Sequence, residues 1–249
     1  MSSTKIWGHR GASGYAPENT IEAFDKAITL GADGVELDIQ LSHDGELVVI
    51  HDETIDRVSD GKGNVRDYTL RELKALDVSG VMPSYGTVRI PTLGEVLEEL
   101  RPTDLEINIE CKTGIYFYPG LEEKMINLVK SMGMVERIWC SSFNHKSVLK
   151  VKKLCPEMRT GFLIADVLAG AAHYTKEHGA QALHPALYHM QDDKLIEKCH
   201  KKGLEVHVWT VNEGKDVSQL AKAGADAVIT NYPDVALAAI ADMERKKQA

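Results

Sequence analysis

Short apolar runs alternate with longer stretches in which apolar residues recur every three or four positions, from one end of the chain to the other. The runs 5–9, 34–40, 46–51, 106–110, 137–142, 159–164, 180–184, 205–211 and 225–230 have the length of strands. The stretches 19–30, 121–132, 146–154, 166–178, 192–202, 214–223 and 233–244 carry the spacing of helices that cover a sheet on one face. Repeated strand–helix alternation makes a mainly parallel sheet, and about eight such units close it into a barrel. The predicted fold class is therefore α/β, a (β/α)8 TIM barrel.

Nine runs is one more than eight units require. Between Ile39 and Leu47, Asp44-Gly45 is a hairpin turn signal and there is no room for a helix. A parallel partner would need a crossover of about a dozen residues. The run 46–51 is thus the return arm of an antiparallel excursion, which brings His51 back beside Glu36. From 52 to 103 the alternation stops: 60–64 is rich in turn residues, Thr69 opens a short capped helix and Thr92 is an N-cap for another. This stretch is expected to be a small insertion over the C-terminal mouth of a single barrel domain spanning 1–249. It is too short and too polar for an independent domain, with scattered apolar residues such as Val81, Met82 and Tyr85.

Composition narrows the class. A chain of 249 residues buries a large core without disulfides or structural metal, so a bound metal would serve chemistry. The net charge of −8 argues against a nucleic-acid binder, and the basic tail Arg245, Lys246, Lys247 reads as a solvated helix end. Cys111, Cys140, Cys155 and Cys199 are widely spaced, with neither metal-ligand spacing nor a disulfide framework. Residues 1–7 lack the basic-then-apolar pattern of a signal peptide, and no run approaches the roughly 18 apolar residues of a membrane span. A cytoplasmic location with reduced thiols is expected. Oligomeric state stays open, a homo-oligomer included.

The polar positions within two strand runs carry the chemistry. Side chains alternate along a strand, so Val35, Leu37 and Ile39 face one way while Glu36 and Asp38 face the other. The same alternation sets Ile107, Ile109 and Cys111 towards the helices and Asn108, Glu110 and Lys112 inward. Inward carboxylates cannot share a dry core without compensation. They form either a salt-bridged core pair or, with Glu110 included, an oxygen cage suited to Mg²⁺ or Ca²⁺ rather than zinc, placed where barrel active sites sit. His9 and Arg10 leave the first strand at that same mouth, next to Gly11, and His51 ends the excursion arm. Two histidines suit acid–base work, and Arg10 and Lys112 add fixed positive charge for a phosphate.

His9-Arg10-Gly11-Ala12 with Pro17-Glu18-Asn19-Thr20, then Glu36-Leu37-Asp38, His51-Asp52 and Glu110-Cys111-Lys112, resembles the glycerophosphodiester phosphodiesterase family. Trp209-Thr210-Val211-Asn212 and Thr230-Asn231-Tyr232-Pro233 extend the resemblance over essentially the whole chain. Each motif is weak alone; the ordered set is specific. The resemblance implies a barrel of the phospholipase-C-like type that cleaves glycerophosphodiesters to sn-glycerol 3-phosphate and an alcohol. It implies metal ligation by Glu36, Asp38 and Glu110 (Mg²⁺ or Ca²⁺, with Mn²⁺ also acceptable) and acid–base catalysis by His9 and His51. Arg10 and Lys112 would lie on the phosphate, and Trp209 would wall the glycerol pocket. Cys111 stands where an aliphatic residue is more usual, facing away from the site. Water and the glycerol 2-hydroxyl both remain open as nucleophile, as does the division of roles between the histidines.

Other polar and aromatic positions carry smaller expectations. His207 is expected to support the Trp209 ring from below, His184 to be bonded locally, Phe143 to reach the mouth or plug the barrel, and His43 to face solvent. Tyr116, Phe117 and Tyr118 are read as flanking the substrate entrance. Two rival functions stand: a lysophospholipase D or sphingomyelinase-like phosphodiesterase, which needs an apolar surface at the mouth, and a barrel that binds a phosphodiester without cleaving it.

Overall fold

The computed structural model describes residues 4–80 and 82–248, so residues 1–3 of the N-terminal stretch, Val81 and Ala249 lie outside the described residues, as do the side chains of Lys247 and Gln248. The chain runs β1 (Lys5–His9), α1 (Ile21–Thr29), β2 (Gly34–Leu41), then doubles back through β3 (Leu47–Val49) into α2 (Leu70–Leu73) and α3 (Leu93–Leu100). Regular alternation follows: β4 (Glu106–Cys111), α4 (Leu121–Ser131), β5 (Ile138–Ser142), α5 (His145–Leu154), β6 (Arg159–Ile164) and α6 (Ala171–Glu177). It continues through β7 (Ala182–Pro185), α7 (Leu195–His200), β8 (Glu205–Val208), α8 (Gly214–Ala223), β9 (Ala227–Thr230) and α9 (Pro233–Gln248).

Parallel pairing passes from β1 through β2, β4, β5, β6, β7, β8 and β9 and returns to β1, closing an eight-stranded barrel. β3 lies outside that ring, antiparallel to the end of β2, with Ile39 opposite Val49 and Leu41 opposite Leu47. Gly45, at φ 81°, makes the tight turn between them. The sequence-predicted excursion is present and the eight-unit barrel closes without it.

Period-2 alternation in the strands decides what faces where. Val35, Leu37, Ile39, Ile107, Ile109 and Cys111 pack outward against Phe24, Leu121 and Met125 of the helical layer. Phe162, Leu183, Val206 and Val228 do the same against Ala172, Ile196, Val217 and Ala236 on the opposite side. Each such large side chain contributes on the order of 2 kcal/mol of burial. The barrel floor is filled by Trp7 and Trp139, with the buried His207 ring 4.6 Å and 4.7 Å from their centroids. His207 bonds the buried His184 at 2.9 Å and Glu205 at 3.0 Å. His207 therefore belongs to the floor with the two indoles, the cluster against which Trp209 packs. Its ring is drawn down by the Glu205 carboxylate at the N-terminal end of β8. Gly161 is what admits the His184 ring, since a Cβ there would sit 2.2 Å from Nε2.

The stretch 52–103 divides in two. Its first part wraps a small apolar cluster of Ile55, Val65, Leu73, Val78, Val88 and Ile90 onto Val48 and Ile50 of the excursion. α3 behaves differently: Leu93, Val96, Leu97 and Leu100 are all buried in the sheet–helix layer beside Leu37 and Phe24. It is an outer helix of the barrel, the crossover between β2 and β4, and the insertion proper ends before it. Thr69 with Glu72, and Thr92 with Glu95, form the two capping boxes that their spacing announces. α6 starts at Ala171 rather than 166 because Gly170, at φ 76°, breaks the helical path, leaving Val167 and Leu168 exposed in the loop. Among the described residues no helix is long and apolar enough to cross a membrane.

Candidate active site

The strand register builds the site. His9 of β1 pairs with Glu36 of β2, which pairs with Asn108 of β4, and one step further Asp38 pairs with Glu110. Because these positions face inward, three buried carboxylates meet at the C-terminal end of adjacent strands. One oxygen from each of Glu36, Asp38 and Glu110 lies within 4.8 Å of the others. The Oδ1 atoms of Asp38 and Asn108 are buried without a hydrogen-bond partner, an expensive arrangement unless something else occupies the space between them.

The charge balance points the same way. Burial, then repulsion from Asp38 and Glu110, pushes the Glu36 carboxyl well above the usual carboxylate range. Burial likewise pushes Glu110 up to about 7, against the opposing pull of Lys112. Asp38 is also pushed up by burial, but Arg10, His51 and Lys112 outweigh this and hold it at about 2. Three carboxylates against the cations Arg10 and Lys112 leave the cluster one charge negative when all are ionised. A phosphodiester monoanion would be repelled by that field, and a divalent cation reverses its sign. The oxygen-only donor set fits a hard cation such as Mg²⁺, Ca²⁺ or Mn²⁺.

Two imidazoles flank the carboxylates, each anchored from behind. His9 Nδ1 lies 2.7 Å from Asn231 Oδ1, and since that amide oxygen can only accept, Nδ1 carries the proton. Its Nε2 is then unprotonated and stands 4.0 Å from Glu36 Oε2. Burial, then the Arg10 charge, lowers His9 to about 4, so this ring is neutral near pH 7. His51 Nδ1 is held at 2.6 Å by Asp52 Oδ1, which leaves Nε2 to accept from Lys112 Nζ at 3.2 Å. Lys112 also bridges to Glu110 at 3.1 Å.

Arg10 sits at φ 55°, a left-handed backbone conformation that an L side chain adopts at some cost. Its surroundings hold it there: its N–H donates to Glu36 at 2.9 Å, and its carbonyl accepts from Asn19 N at 3.0 Å. The guanidinium reaches Glu18 at 2.9 Å and lies 3.5 Å from Asp38. The next residue, Gly11, has φ 80°, and a Cβ there would lie 2.5 Å from the Ala23 backbone. This turn therefore presses flat against α1.

His9, Arg10, Glu36, His51, Glu110 and Trp209 line one cleft together with Asn108, Phe143, Leu163 and Ile229. Asp38 and Lys112 stand against its wall through Arg10 and Glu110. The eight residues singled out in the sequence thus converge. Broader depressions exist elsewhere, such as that bordered by Lys74, Arg89 and Glu95, but among the described residues Glu36, Asp38 and Glu110 are the group placed to hold a metal ion. His51 does come back to the cleft, although its ring bonds Asp52 and Lys112 rather than standing against Glu36. The β2–β3 register accounts for this, since Ile50 N already bonds Asp38 O. Phe143 reaches the mouth, edge-on to Trp209 at 5.4 Å. Tyr116, Phe117 and Tyr118 instead border a separate depression with His43 and Arg66, so they do not flank this cleft. His43 is exposed, as expected.

Several residues at the site received no role from sequence. Asn19 donates Nδ2–H to Asp38 at 2.9 Å, and Asn231 orients His9. Both lay inside the quoted motifs, which was their signal. Arg57 had none, because one of its partners, Glu18, is 39 positions away.

The comparisons with known proteins agree with this geometry. A match to the glycerophosphoryl diester phosphodiesterase family covers residues 9–235. A glycerophosphodiester phosphodiesterase of Caldanaerobacter subterraneus subsp. tengcongensis is 45% identical over 233 residues, covering 93% of this chain and 95% of that protein. The crystal structure of an Agrobacterium tumefaciens glycerophosphodiester phosphodiesterase superposes with a TM-score of 0.83 at 32% identity, over 94% of this chain and 99% of the other. An Oleispira antarctica phosphodiesterase, solved in complex with the product sn-glycerol-3-phosphate, gives 0.83 at 29% identity, over 95% and 96%. Closed barrel, inward carboxylates, paired histidines and full-length similarity together place this chain in the glycerophosphoryl diester phosphodiesterase family of enzymes.

Proposed function

We propose that the chain hydrolyses glycerophosphodiesters to sn-glycerol 3-phosphate and an alcohol, with one divalent cation on Glu36, Asp38 and Glu110 and with His9 and His51 as the acid–base pair. The observation that carries this reading is the pair of imidazoles, each anchored through Nδ1 and each turning Nε2 towards a shared cleft above three carboxylates. The product bound by the Oleispira antarctica protein supports the substrate class. A cation on the three carboxylates would supply charge neutralisation at the phosphoryl oxygens.

The protein's own groups do the rest. Arg10 and Lys112 offer donors to the non-bridging phosphate oxygens, where charge builds in the transition state. One histidine Nε2 takes the proton of the attacking water, or of the glycerol 2-hydroxyl with water then opening the cyclic phosphate, as that oxygen bonds to phosphorus. The other Nε2, in its protonated form, gives a proton to the alcohol oxygen as the second P–O bond breaks. Asn231 and Asp52 keep each ring oriented through that exchange. Trp209, its Nε1–H bonded to the His184 carbonyl at 2.8 Å, presents a fixed flat wall with Phe143 for the glycerol. Trp209→Ala is expected to raise KM for glycerophosphocholine about tenfold with a smaller change in kcat, the cost of losing about 1.4 kcal/mol of ring contact. Steady-state kinetics would read this directly.

The deciding assay incubates chelator-stripped protein with glycerophosphocholine and glycerophosphoethanolamine, adding Mg²⁺, Ca²⁺ or Mn²⁺ separately, and measures glycerol 3-phosphate. Release that depends on added metal is expected. Full release without metal would remove the cation, and silence with every metal would remove the reaction.

One observation favours a second reading, action on lysophospholipids. Exposed apolar side chains gather in loops that follow consecutive strands: Phe143 after β5, Val167 and Leu168 after β6, and Tyr188 after β7. The apolar surface such a rival needs therefore comes from these loops rather than from the insertion. Choline release from lysophosphatidylcholine at a rate exceeding that from glycerophosphocholine would establish this reading instead.

A further inference from the structure

Arg57 lies in the turn region after β3, half exposed and outside the lining of the cleft. Its guanidinium nevertheless joins two carboxylates that belong to opposite sides of the site. Nη1 and Nη2 donate to the two oxygens of Glu18 at 2.8 Å and 2.7 Å. Nε and Nη2 donate to the two oxygens of Asp52 at 2.7 Å and 3.2 Å. Beyond those carboxylates, Glu18 holds Arg10 and Asp52 holds His51. The result is one unbroken chain of charge-assisted bonds, Arg10–Glu18–Arg57–Asp52–His51. It spans from the turn after β1 to the end of the antiparallel excursion.

We infer that Arg57 is a positioning residue that sets the orientation of Arg10 and His51 together, a role that rests on the function proposed above for those two groups. Neither element achieves this alone. His51 lies past the end of the β2–β3 ladder, its carbonyl held by Gln40 Nε2 at 3.0 Å, so its backbone is tied to the barrel while its ring depends on Asp52 and Lys112. Arg10 sits on a turn with a left-handed backbone, and its guanidinium donates its shortest bond to Glu18. Without Arg57, Asp52 and Glu18 become two neighbouring anions with no shared counter-charge. Asp52 is then free to turn away from His51 Nδ1, and Glu18 from Arg10. The planar fork is what the geometry uses: four N–H bonds reach two carboxylates in fixed directions, and a lysine ammonium, a single point with three donors, cannot reproduce both bidentate contacts.

The test compares Arg57→Lys with Arg57→Ala, alone and combined with Asp52→Asn. Partners that orient a reacting group are commonly worth about 10–100-fold in activity. Arg57→Lys is expected to lower kcat by that factor, with KM changed less than about threefold and thermal stability close to the parent. Methylguanidinium should restore part of the rate to Arg57→Ala. The loss in Arg57→Lys/Asp52→Asn should fall short of the product of the single losses, because both act through one chain of bonds.

A second measurement does not depend on turnover. In protein labelled with ¹⁵N-histidine, the His51 ring nitrogens should report a single Nδ1–H tautomer in the parent and an averaged signal in both Arg57 variants. An unchanged His51 signal, or full kcat in Arg57→Lys, would overturn the inference. If the parent itself releases no glycerol 3-phosphate, the function reading fails while the ring signal still decides whether Arg57 orients His51.

Discussion

His51→Ala and His9→Ala are each expected to lower kcat by about 10²–10⁴-fold while leaving the fold and metal affinity near those of the parent. The size follows from the role, because a positioned proton donor or acceptor is commonly worth that much in a transfer step. The selectivity follows from geometry. Both rings are anchored behind the cluster, on Asn231 and Asp52, and neither makes a short bond to Glu36, Asp38 or Glu110. The side chains are only 16% and 28% exposed, so each truncation also removes some burial, a loss that urea denaturation reads separately from turnover. Isothermal titration with Mn²⁺ and urea denaturation should therefore show variants that bind and fold but do not turn over. The double variant should lose little more than the worse single one, since the two act as a unit. Near-parental rates in both single variants would end the acid–base assignment.

Removing a carboxylate should have the opposite profile. Glu36→Gln and Glu110→Gln are expected to weaken metal affinity strongly, and activity with it, while stabilising the metal-free protein at neutral pH. The sign comes from the direction of the shifts. Glu110 is held at about 7 in the folded chain, against an ordinary value of 4.5. Between those values the folded protein retains a proton that the unfolded chain has released. Stability of the metal-free protein therefore falls as pH rises from 4.5 towards 7. Glutamine removes that loss, which is of the order of a few kcal/mol at most. At pH 4, where the parent residue is protonated, parent and Glu110→Gln should unfold at similar urea concentrations. At pH 8 the metal-free variant should be the more stable. Added metal reverses the ranking once it is about a thousandfold over Kd, where it stabilises the parent by about 4.1 kcal/mol. Identical metal-induced shifts in parent and variant would take that carboxylate out of the cation site.

Most of the architecture was legible along the chain because a barrel repeats one local rule. Period-2 runs that alternate with three-and-four spacing can be read residue by residue, and the runs beginning at Lys5 and Arg159 match β1 and β6 to the residue. The inward set Glu36, Asp38 and Glu110 follows from the same alternation, since polar residues opposite apolar neighbours in a strand have nowhere else to point. The Asp44-Gly45 turn similarly marked the surplus strand. Where the reading went astray, local pattern was weaker than its setting. α3 has a clean helical face but follows a turn-rich stretch, and only packing against Leu37 and Phe24 places it in the outer layer rather than in the insertion.

His207 shows the limit for side chains. Its inward direction is written in the strand, but its edge-on contact with both Trp7 and Trp139 depends on how eight strands stagger around the ring. Tyr116 and Tyr118 were drawn elsewhere by Asn64 and Gln40, partners remote in the chain. What local sequence determined, then, was which residue types point into the barrel and at which end, because that depends on the pleat and on turn chemistry alone. Which of them meet was decided by closure of the barrel. His9 finds Asn231, a residue 222 positions on, because β9 pairs with β1. Glu36 and Glu110 are pushed up because closure removes them from water together, and Arg57 clamps Glu18 and Asp52 because the excursion folds back over the turn after β1. Bonds between distant positions carry no periodicity, so only the folded chain displays them.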